Sequence, residues 1–482
     1  MTYRLFLGGE WVEPGLGRYP IVNPATEQVI DEAPEAAPGQ VRDAVGAARA
    51  AFPGWSRTRP AERAGYLDAI AELISKHDDE LVPLIQAETG ATLRVAATMQ
   101  LPVCAERFRR YARQAVESHD IALPPQAMPT TALARGGLIG AIAARQPVGV
   151  VACITPYNFP LVNMAGKIAP ALAMGNTVVI KPAPQDPLAV LRFGEIVEAA
   201  GVPPGVVNIV TGSGAEAGQS LVEADIDMVS FTGSTPIGQR IAETAGRGIK
   251  RLLLELGGKG AGIVFADADL DSAVAGIGST WSFHSGQICT APTRVLVQRG
   301  VHDALVEKLA GYARGLRVGD PLERGTVVGP LISDVQRLRV EELLAVGRAA
   351  GANFVVGGER PDISPGFYVA PTLLAEVSAD SAVAREEFFG PVVVVLGFDD
   401  EDEAIELANG TPFGLYDYVW TADTARAYRV ARQLRSGNVG LNTVQRNHEA
   451  PFGGFKMSGV GRDGGTFGLH AYSELQSIVW SS

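Results

Sequence analysis

Between residues 148 and 256 the sequence alternates short runs of branched apolar residues with longer stretches of helical periodicity. The runs at 148–154, 177–180, 206–210, 228–231 and 252–256 read as strands, and helices fit between them at 161–174, 187–200, 214–223 and 236–246. Strand-helix alternation built on such continuous apolar runs implies a parallel sheet covered on both faces. A sheet of this kind receives ligands at the carboxyl ends of its strands. A second alternating unit follows, with strand 293–298, helices 301–315 and 334–350, strand 392–397, helix 400–409, strand 416–420, helix 424–434 and strand 439–442. The expectation is an α/β chain with two doubly wound parallel sheets. At 482 residues it is long enough for two or three cores.

The remaining segments are less regular. Residues 1 to about 60 read as strand and turn, with Asn23-Pro24 and Pro53-Gly54 marking turns. From Pro60 to Val116 the pattern is helical, with Leu67, Ile70, Leu73 and Ile74 on one buried face. Pro124-Pro125, Pro129 and Gly136-Gly137 mark an irregular or extended excursion, and 471–480 reads as a closing strand.

Bulk properties exclude several classes. Hydrophobic residues make up 46% and charged ones 20%, the balance of a folded globular protein. A net charge of −12 argues against nucleic acid or an anionic membrane as partner. No apolar run approaches the ~18 residues that span a bilayer. The start lacks a signal-peptide core, and three scattered cysteines (104, 153 and 289) show no metal-ligand spacing. A reducing, cytoplasmic compartment and no metal are expected.

Chemistry concentrates between Leu253 and Pro292. Glu255 stands among leucines beside Gly257-Gly258, and Cys289 closes a glycine-flanked segment. An ionised thiol is a strong nucleophile, and a desolvated carboxylate with a raised pKa can act as a base near neutral pH. The structural alternative has Glu255 paired with Lys259 at a strand end and Cys289 as a small core residue. Two glycine turns compete for a dinucleotide phosphate. Gly212-Ser213-Gly214-Ala215-Glu216-Ala217 matches the fingerprint but lacks its acidic partner, since Asp225 and Asp227 precede the next strand. Gly233-Ser234-Thr235-Pro236-Ile237-Gly238 follows a strand and opens a helix, where free amides and the helix dipole suit an anion. An ordinary strand-to-helix turn would use the same glycines.

Glu255-Leu256-Gly257-Gly258-Lys259 and Gly286-Gln287-Ile288-Cys289 closely resemble the two signatures of the aldehyde dehydrogenase superfamily. Pro156-Tyr157-Asn158-Phe159-Pro160, Lys181-Pro182-Ala183, Phe231-Thr232-Gly233-Ser234, Glu387-Phe388-Phe389-Gly390-Pro391 and Pro451-Phe452-Gly453-Gly454-Phe455-Lys456 follow the family's order, nearly end to end. The resemblance implies a Rossmann-like cofactor domain at 1–124 and 147–256, a catalytic α/β domain at 257–450, and a small β oligomerisation element from 125–146 and 460–482. It implies a homodimer or homotetramer.

The implied reaction is oxidation of a small-molecule aldehyde to an acid with NAD or NADP. Cys289 would be the nucleophile, Glu255 the base that activates water, Asn158 the oxyanion donor with the Cys289 amide, and Lys167 an aid to proton movement. The implied cofactor contacts are Lys181, Pro184, Gly214, Phe231, Gly233, Ser234, Gly238, Leu256, Glu387 and Phe389. Of the two turns, the resemblance favours the one at Gly233 for the pyrophosphate and puts Gly212 and Gly214 near the adenosine. Acyl transfer to coenzyme A and a non-redox cysteine hydrolase are the alternatives. Retention of Glu255 speaks against the first, and the cofactor residues against the second.

Several residues depart from the family pattern. His284 stands where a structural asparagine is usual, Tyr157 replaces tryptophan, and Asp463 replaces glutamate. Pro184 replaces the glutamate that often selects NAD by repelling a 2′-phosphate. Asn163 and Gly166 fall at the positions that line the aldehyde tunnel in the resembled family. Gly166 suggests a missing wall and hence an aromatic or medium-chain aldehyde, or else merely lets two helices pack closely. Phe159, Phe283, Thr290 and the lip from Thr443 to His448 complete the expected pocket.

Overall fold

The computed structural model describes residues 2–481 and contains the two expected parallel sheets. In the first, Val150–Ile154 lies between Met228–Thr232 and Thr177–Lys181, all parallel. Arg251–Glu255 extends the sheet on one side and Val207–Ile209 on the other. The chain thus leaves the central strand toward one edge and later returns to build the opposite edge. Connections diverge at such a reversal and leave a crevice at the carboxyl ends of the strands. Antiparallel strands close both edges: Leu5–Leu7 with Glu10–Val12 at one, Gly459–Val460 at the other.

The pleat of the sheet sorts its side chains into two cores. Val150, Ala152 and Ile154 join one apolar cluster, while Val151 and Cys153 join the other, on the opposite face. Every position is buried, which is why these strands read as unbroken apolar runs. Cys153 is a core residue, its thiol pushed up to about 12 by burial.

The second sheet repeats the design. Thr372–Ala375, Val392–Phe398, Arg294–Gln298, Ala261–Val264, Tyr416–Trp420 and Asn438–Leu441 run parallel, with Asn353–Val356 antiparallel at one edge. Val392, Val394 and Leu396 face one core, and Val393 and Val395 the other. Ala261–Val264 is interior to this sheet, yet four residues, one of them glycine, behind a glycine run give no separate signal.

Two other segments differ from expectation. Helix Pro38–Trp55 occupies ground expected as strand and turn; proline begins it and alanines fill it. Pro53 sits in its last turn. Helix Leu270–Ser282, capped by Asp269 accepting from two backbone amides, leads up to the cysteine. The excursion is extended and regular, in keeping with the expected small β element: Ile121–Met128 pairs with Gly137–Pro147, which pairs along its length with Ser473–Ser481. Pro124 and Pro125 lie on the outer strand at a register shift, where a missing donor costs little. Before the last strand, helix Gly465–Ala471 turns back so that Leu469 and Tyr472 enter the core of the first unit.

Leu296 is fully buried on the central strand Arg294–Gln298. Leu296→Ala should therefore destabilise the fold by roughly 2–5 kcal/mol through lost burial and a cavity. The check is a lower urea midpoint with native circular dichroism retained; an unmoved midpoint would contradict this packing.

Candidate active site

The crevice at the strand ends of the first sheet opens into a cavity of about 1840 Å³ between the two units. The first unit contributes Thr155, Asn158, Lys181, Phe231 and Glu255, and the second Cys289, Glu387, Phe389 and Arg446.

Glu255 is the last residue of Arg251–Glu255, aligned with Thr232 on one side and Gly459 on the other. It is 4% exposed, and neither carboxylate oxygen has a hydrogen-bond partner among the described residues. Burial, then the charge of Asp463, holds its pKa well above the usual carboxylate range; Lys167, Arg446 and Arg462 oppose this. The pairing with Lys259 that a structural role would require is absent. Lys259 instead lies 4.6 Å from the Phe388 ring centroid, its ammonium unpartnered.

Cys289 follows a turn under constraint. His284, Ser285 and Gly286 all have positive φ, of 48°, 57° and 73°. Two non-glycine residues in this region cost energy and persist only where the surroundings impose them. Ser285 Oγ donates to Gly329 O at 2.8 Å, and Gln287 Oε1 accepts from Ile332 N at 3.0 Å. A Cβ on Gly286 would collide with Gly390 O, so only glycine lets the two segments meet. Asn158 Nδ2 donates to Gln287 O at 2.9 Å, which brings its amide beside the cysteine loop. The thiol is pushed up to about 12, by burial first and then by Glu387 and Glu255, with Arg446 opposing.

His284 is not part of the reactive set. Its ring is buried against Phe159, 5.3 Å between centroids, and burial lowers its pKa to about 4. It is a neutral wedge behind the loop. Lys167 also stands back from the cavity, donating to Ser230 Oγ at 3.3 Å, while Ser230 bonds the Tyr472 hydroxyl at 2.8 Å. Burial lowers the pKa of Lys167 despite the opposing charges of Asp463 and Glu255.

A dinucleotide fits the other part of the cavity. Gly214 and Ser234 cap helices Ala215–Glu223 and Thr235–Arg247, and both turns line the cavity. Lys181 donates to Pro182 O at 3.0 Å, and burial brings its pKa down to about 8. Pro184, Phe231, Gly233 and Leu256 line the same wall. Gly238 does not: it lies under Leu256, where a Cβ would meet Leu256 Cδ1 at 2.7 Å, so its role is close packing. Glu387 accepts from Gly258 N at 3.0 Å, and burial raises it to about 7. Phe389 stands edge-on to Tyr157 at 5.7 Å.

Sequence and structure share one order of elements around this cavity, and the comparisons agree. Residues 11–478 match the aldehyde dehydrogenase family. The chain belongs to that family. It is 39% identical over 483 residues to retinal dehydrogenase 2 of Homo sapiens, a match covering 99% of this chain and 91% of that protein. A crystal structure of a betaine aldehyde dehydrogenase point mutant from Staphylococcus aureus, in complex with NAD+ and with a BME-modified cysteine, is similar at TM-score 0.95 and 34% identity, covering 100% of this chain and 96% of that one. An NADP dependent enzyme of E. coli is similar at TM-score 0.94 and 36% identity, covering 100% and 98%. Aldehyde dehydrogenases use NAD(P), and the residues described above fit such a cofactor.

Most of the residues expected around an aldehyde lie on the cavity wall. Phe159 and Phe283 stack at 6.1 Å, and Asn163, Thr290 and His448 line the cavity with them. Gly166 does not line it. The space beside Gly166 is taken by the guanidinium of Arg107, which a Cβ there would strike, and Asp463 Oδ2 lies 3.3 Å from the same point. The missing wall is thus filled from helix Leu101–Ala115, and the argument for a roomy tunnel at this position fails. Arg107 and Arg446 were not anticipated. Arg107 carries no signal in sequence, being one of several charged residues on an amphipathic helix. Arg446 lies inside the expected 443–448 lip and is legible only as part of it. Among the described residues no cluster suited to a metal ion occurs, and no helix is long and apolar enough to cross a membrane.

Proposed function

We propose that this chain oxidises an aldehyde to a carboxylic acid through a covalent Cys289 intermediate hydrolysed by water. The observation that carries the reading is one cavity lined by Cys289, Glu255 and Asn158 and continuing to Lys181 and both glycine turns. The thiol gives up its proton to solvent, and Sγ adds to the carbonyl carbon. The oxyanion of the thiohemiacetal accepts from Asn158 Nδ2–H and the Cys289 amide. Each such donor is worth about 3–4 kcal/mol when removed. The glycine turns and Lys181 would hold NAD(P), which would supply the hydride acceptor. Loss of hydride from the bound carbon leaves a thioester. Glu255, freed of its proton through Lys167 and Ser230, then takes a proton from the water that attacks this thioester. The acid departs and the thiol is restored.

Cofactor choice is proposed to be permissive, because Pro184 can neither accept a ribose hydrogen bond nor repel a phosphate. Self-association is proposed through the three-stranded sheet, which leaves Leu475, Ile478, Val479 and Trp480 exposed.

Three experiments test this reading. Cys289→Ser should abolish oxidation while nearly preserving cofactor affinity; turnover above a few per cent of wild type would remove Cys289 as nucleophile. Glu255→Gln should release about one reduced cofactor per site in a burst and then turn over slowly. A burst that shrinks in step with the steady rate would instead put Glu255 before hydride transfer. Absorbance at 340 nm follows both, with and without coenzyme A. Pro184→Glu should suppress NADP use, whereas a wild-type preference for NAD above about a thousandfold, roughly 4 kcal/mol, would mean that other residues exclude the phosphate.

A further inference from the structure

Lys167 is the first member of a buried chain that runs past the groups used in the reaction. The lysine is 2% exposed and lies on helix Pro160–Ala173. As an ammonium it donates to Ser230 Oγ at 3.3 Å, and Ser230 Oγ shares a hydrogen bond of 2.8 Å with the Tyr472 hydroxyl. Ser230 and Tyr472 are both fully buried. Ser230 stands inside the first sheet, opposite Cys153 on one neighbouring strand and Leu253 on the other. Tyr472 comes from the far end of the chain, between helix Gly465–Ala471 and strand Ser473–Ser481.

The tyrosine is fixed by more than its hydroxyl. Tyr472 O accepts from Asn176 Nδ2 at 2.9 Å, and the same nitrogen donates to Ala171 O at 3.0 Å, on the helix that carries Lys167. Asn176 Oδ1 accepts from Gly149 N at 2.9 Å. The ring packs in the core of the first unit. The root of the last strand is thus tied to the helix of Lys167 through one asparagine and one pair of hydroxyls.

The hydrogens of this chain can be counted. A hydroxyl brings one donor hydrogen and can also accept. With Lys167 as amine, Tyr472 donates to Ser230, Ser230 donates to the Nζ lone pair, and both hydroxyl hydrogens are used. With Lys167 as ammonium, Nζ donates to Ser230 Oγ and one hydroxyl hydrogen is left over, since Tyr472 Oη has no second partner among the described residues. A buried donor without an acceptor is costly, so the pair favours the amine. Burial of Lys167 favours it too, opposed by Asp463, Cys153 and Glu255 and reinforced by Arg107. Tyr472 in turn faces Cys153, Asp463 and Tyr111.

We infer that Tyr472 and Ser230 are positioning residues for thioester hydrolysis: Tyr472 donates to Ser230, whose hydroxyl then holds Lys167 as the amine that takes the proton of Glu255. This rests on the aldehyde-oxidising reading above and adds to it a residue outside the cavity. Nζ gains the proton that the Glu255 carboxyl loses and later passes it to solvent. The carboxylate so formed takes a proton from the water that attacks the thioester.

The test follows the acyl-enzyme itself. Purified full-length enzyme is mixed with NAD and benzaldehyde or octanal and quenched in acid, and the mass of the Cys289 peptide reports the thioester as it forms and decays. Tyr472→Phe removes one oxygen and keeps the ring. It should slow the decay about three- to tenfold, as expected for one hydrogen bond, while the thioester forms at the wild-type rate. Once decay limits turnover, kcat and KM should fall together with kcat/KM unchanged. Ser230→Ala should act alike, and Ser230→Thr, which keeps a hydroxyl, should recover most of the loss. Added to Lys167→Met, Tyr472→Phe should slow the decay no further. The size of the reduced-cofactor burst counts folded active sites in each variant, so misfolding is not mistaken for slow hydrolysis. An unchanged decay in Tyr472→Phe would overturn the inference, and so would an effect that multiplies with that of Lys167→Met. Absence of any Cys289 thioester in the wild type with both aldehydes would sink the reaction itself rather than this role.

Discussion

A parallel sheet whose strands are buried on both faces leaves its functional groups one place to go, the strand ends. In this protein the constraint acts twice. Val150–Ile154 and its neighbours are covered by apolar clusters above and below, so Lys181 and Glu255, with the turns after Ile154 and Thr232, emerge along one rim. The second sheet faces that rim with the Cys289 loop and the Glu386-Glu387 segment. Neither unit alone holds Cys289, Glu255 and the two glycine turns. Gly459 ties the units together: its strand pairs with Glu255, and a Cβ there would strike Leu254 O.

Burial of this rim sets its electrostatics. Desolvation moves these four buried groups toward their neutral forms, which is why Glu255 and Cys289 are raised while Lys167 and Lys181 are lowered. The linkage has a definite sign. A carboxyl such as Glu387, raised to about 7, opposes folding above the ordinary carboxylate pKa, and the penalty grows until pH passes about 7. Those groups are retained at a cost to stability. A buried carboxyl with neither oxygen bonded, as in Glu255, is explained more readily by chemistry than by architecture.

Much of this was legible in the sequence, for reasons that differ by element. The long apolar strands of the first sheet read correctly because burial on both faces leaves an unbroken signal, as at Val150–Ile154. Ala261–Val264 was lost because a four-residue strand behind glycines has no period to detect. The pairing of Ile121–Met128 was hidden by its prolines, which mark an edge as readily as a loop. In the site, the glycine turns and Cys289 lie in compact local patterns. The Gly238 assignment failed because a glycine in a phosphate-binding motif and a glycine under a leucine look alike in one dimension. Gly166 failed for a related reason. A missing side chain predicts space only if nothing else fills it, and Arg107 reaches it from an element more than fifty residues earlier in the chain.

That substitution of one wall for another changes the character of the pocket rather than its size. A bulky aromatic residue at position 166 would have presented an apolar face, and a glycine beside empty space would have lengthened the tunnel. A guanidinium at the same place does neither. It keeps the volume filled while adding a charge, hydrogen-bonded to the Val162 carbonyl with Asp463 close by. Charge held by a neutral acceptor remains available to a ligand, whereas charge held by a carboxylate is largely spent. The contrast lies within the same helix: Arg110 is paired to Glu449, and Arg107 makes no ion pair among the described residues. The unpaired cation, not the paired one, faces the cavity with Cys289, and Arg446 stands with it.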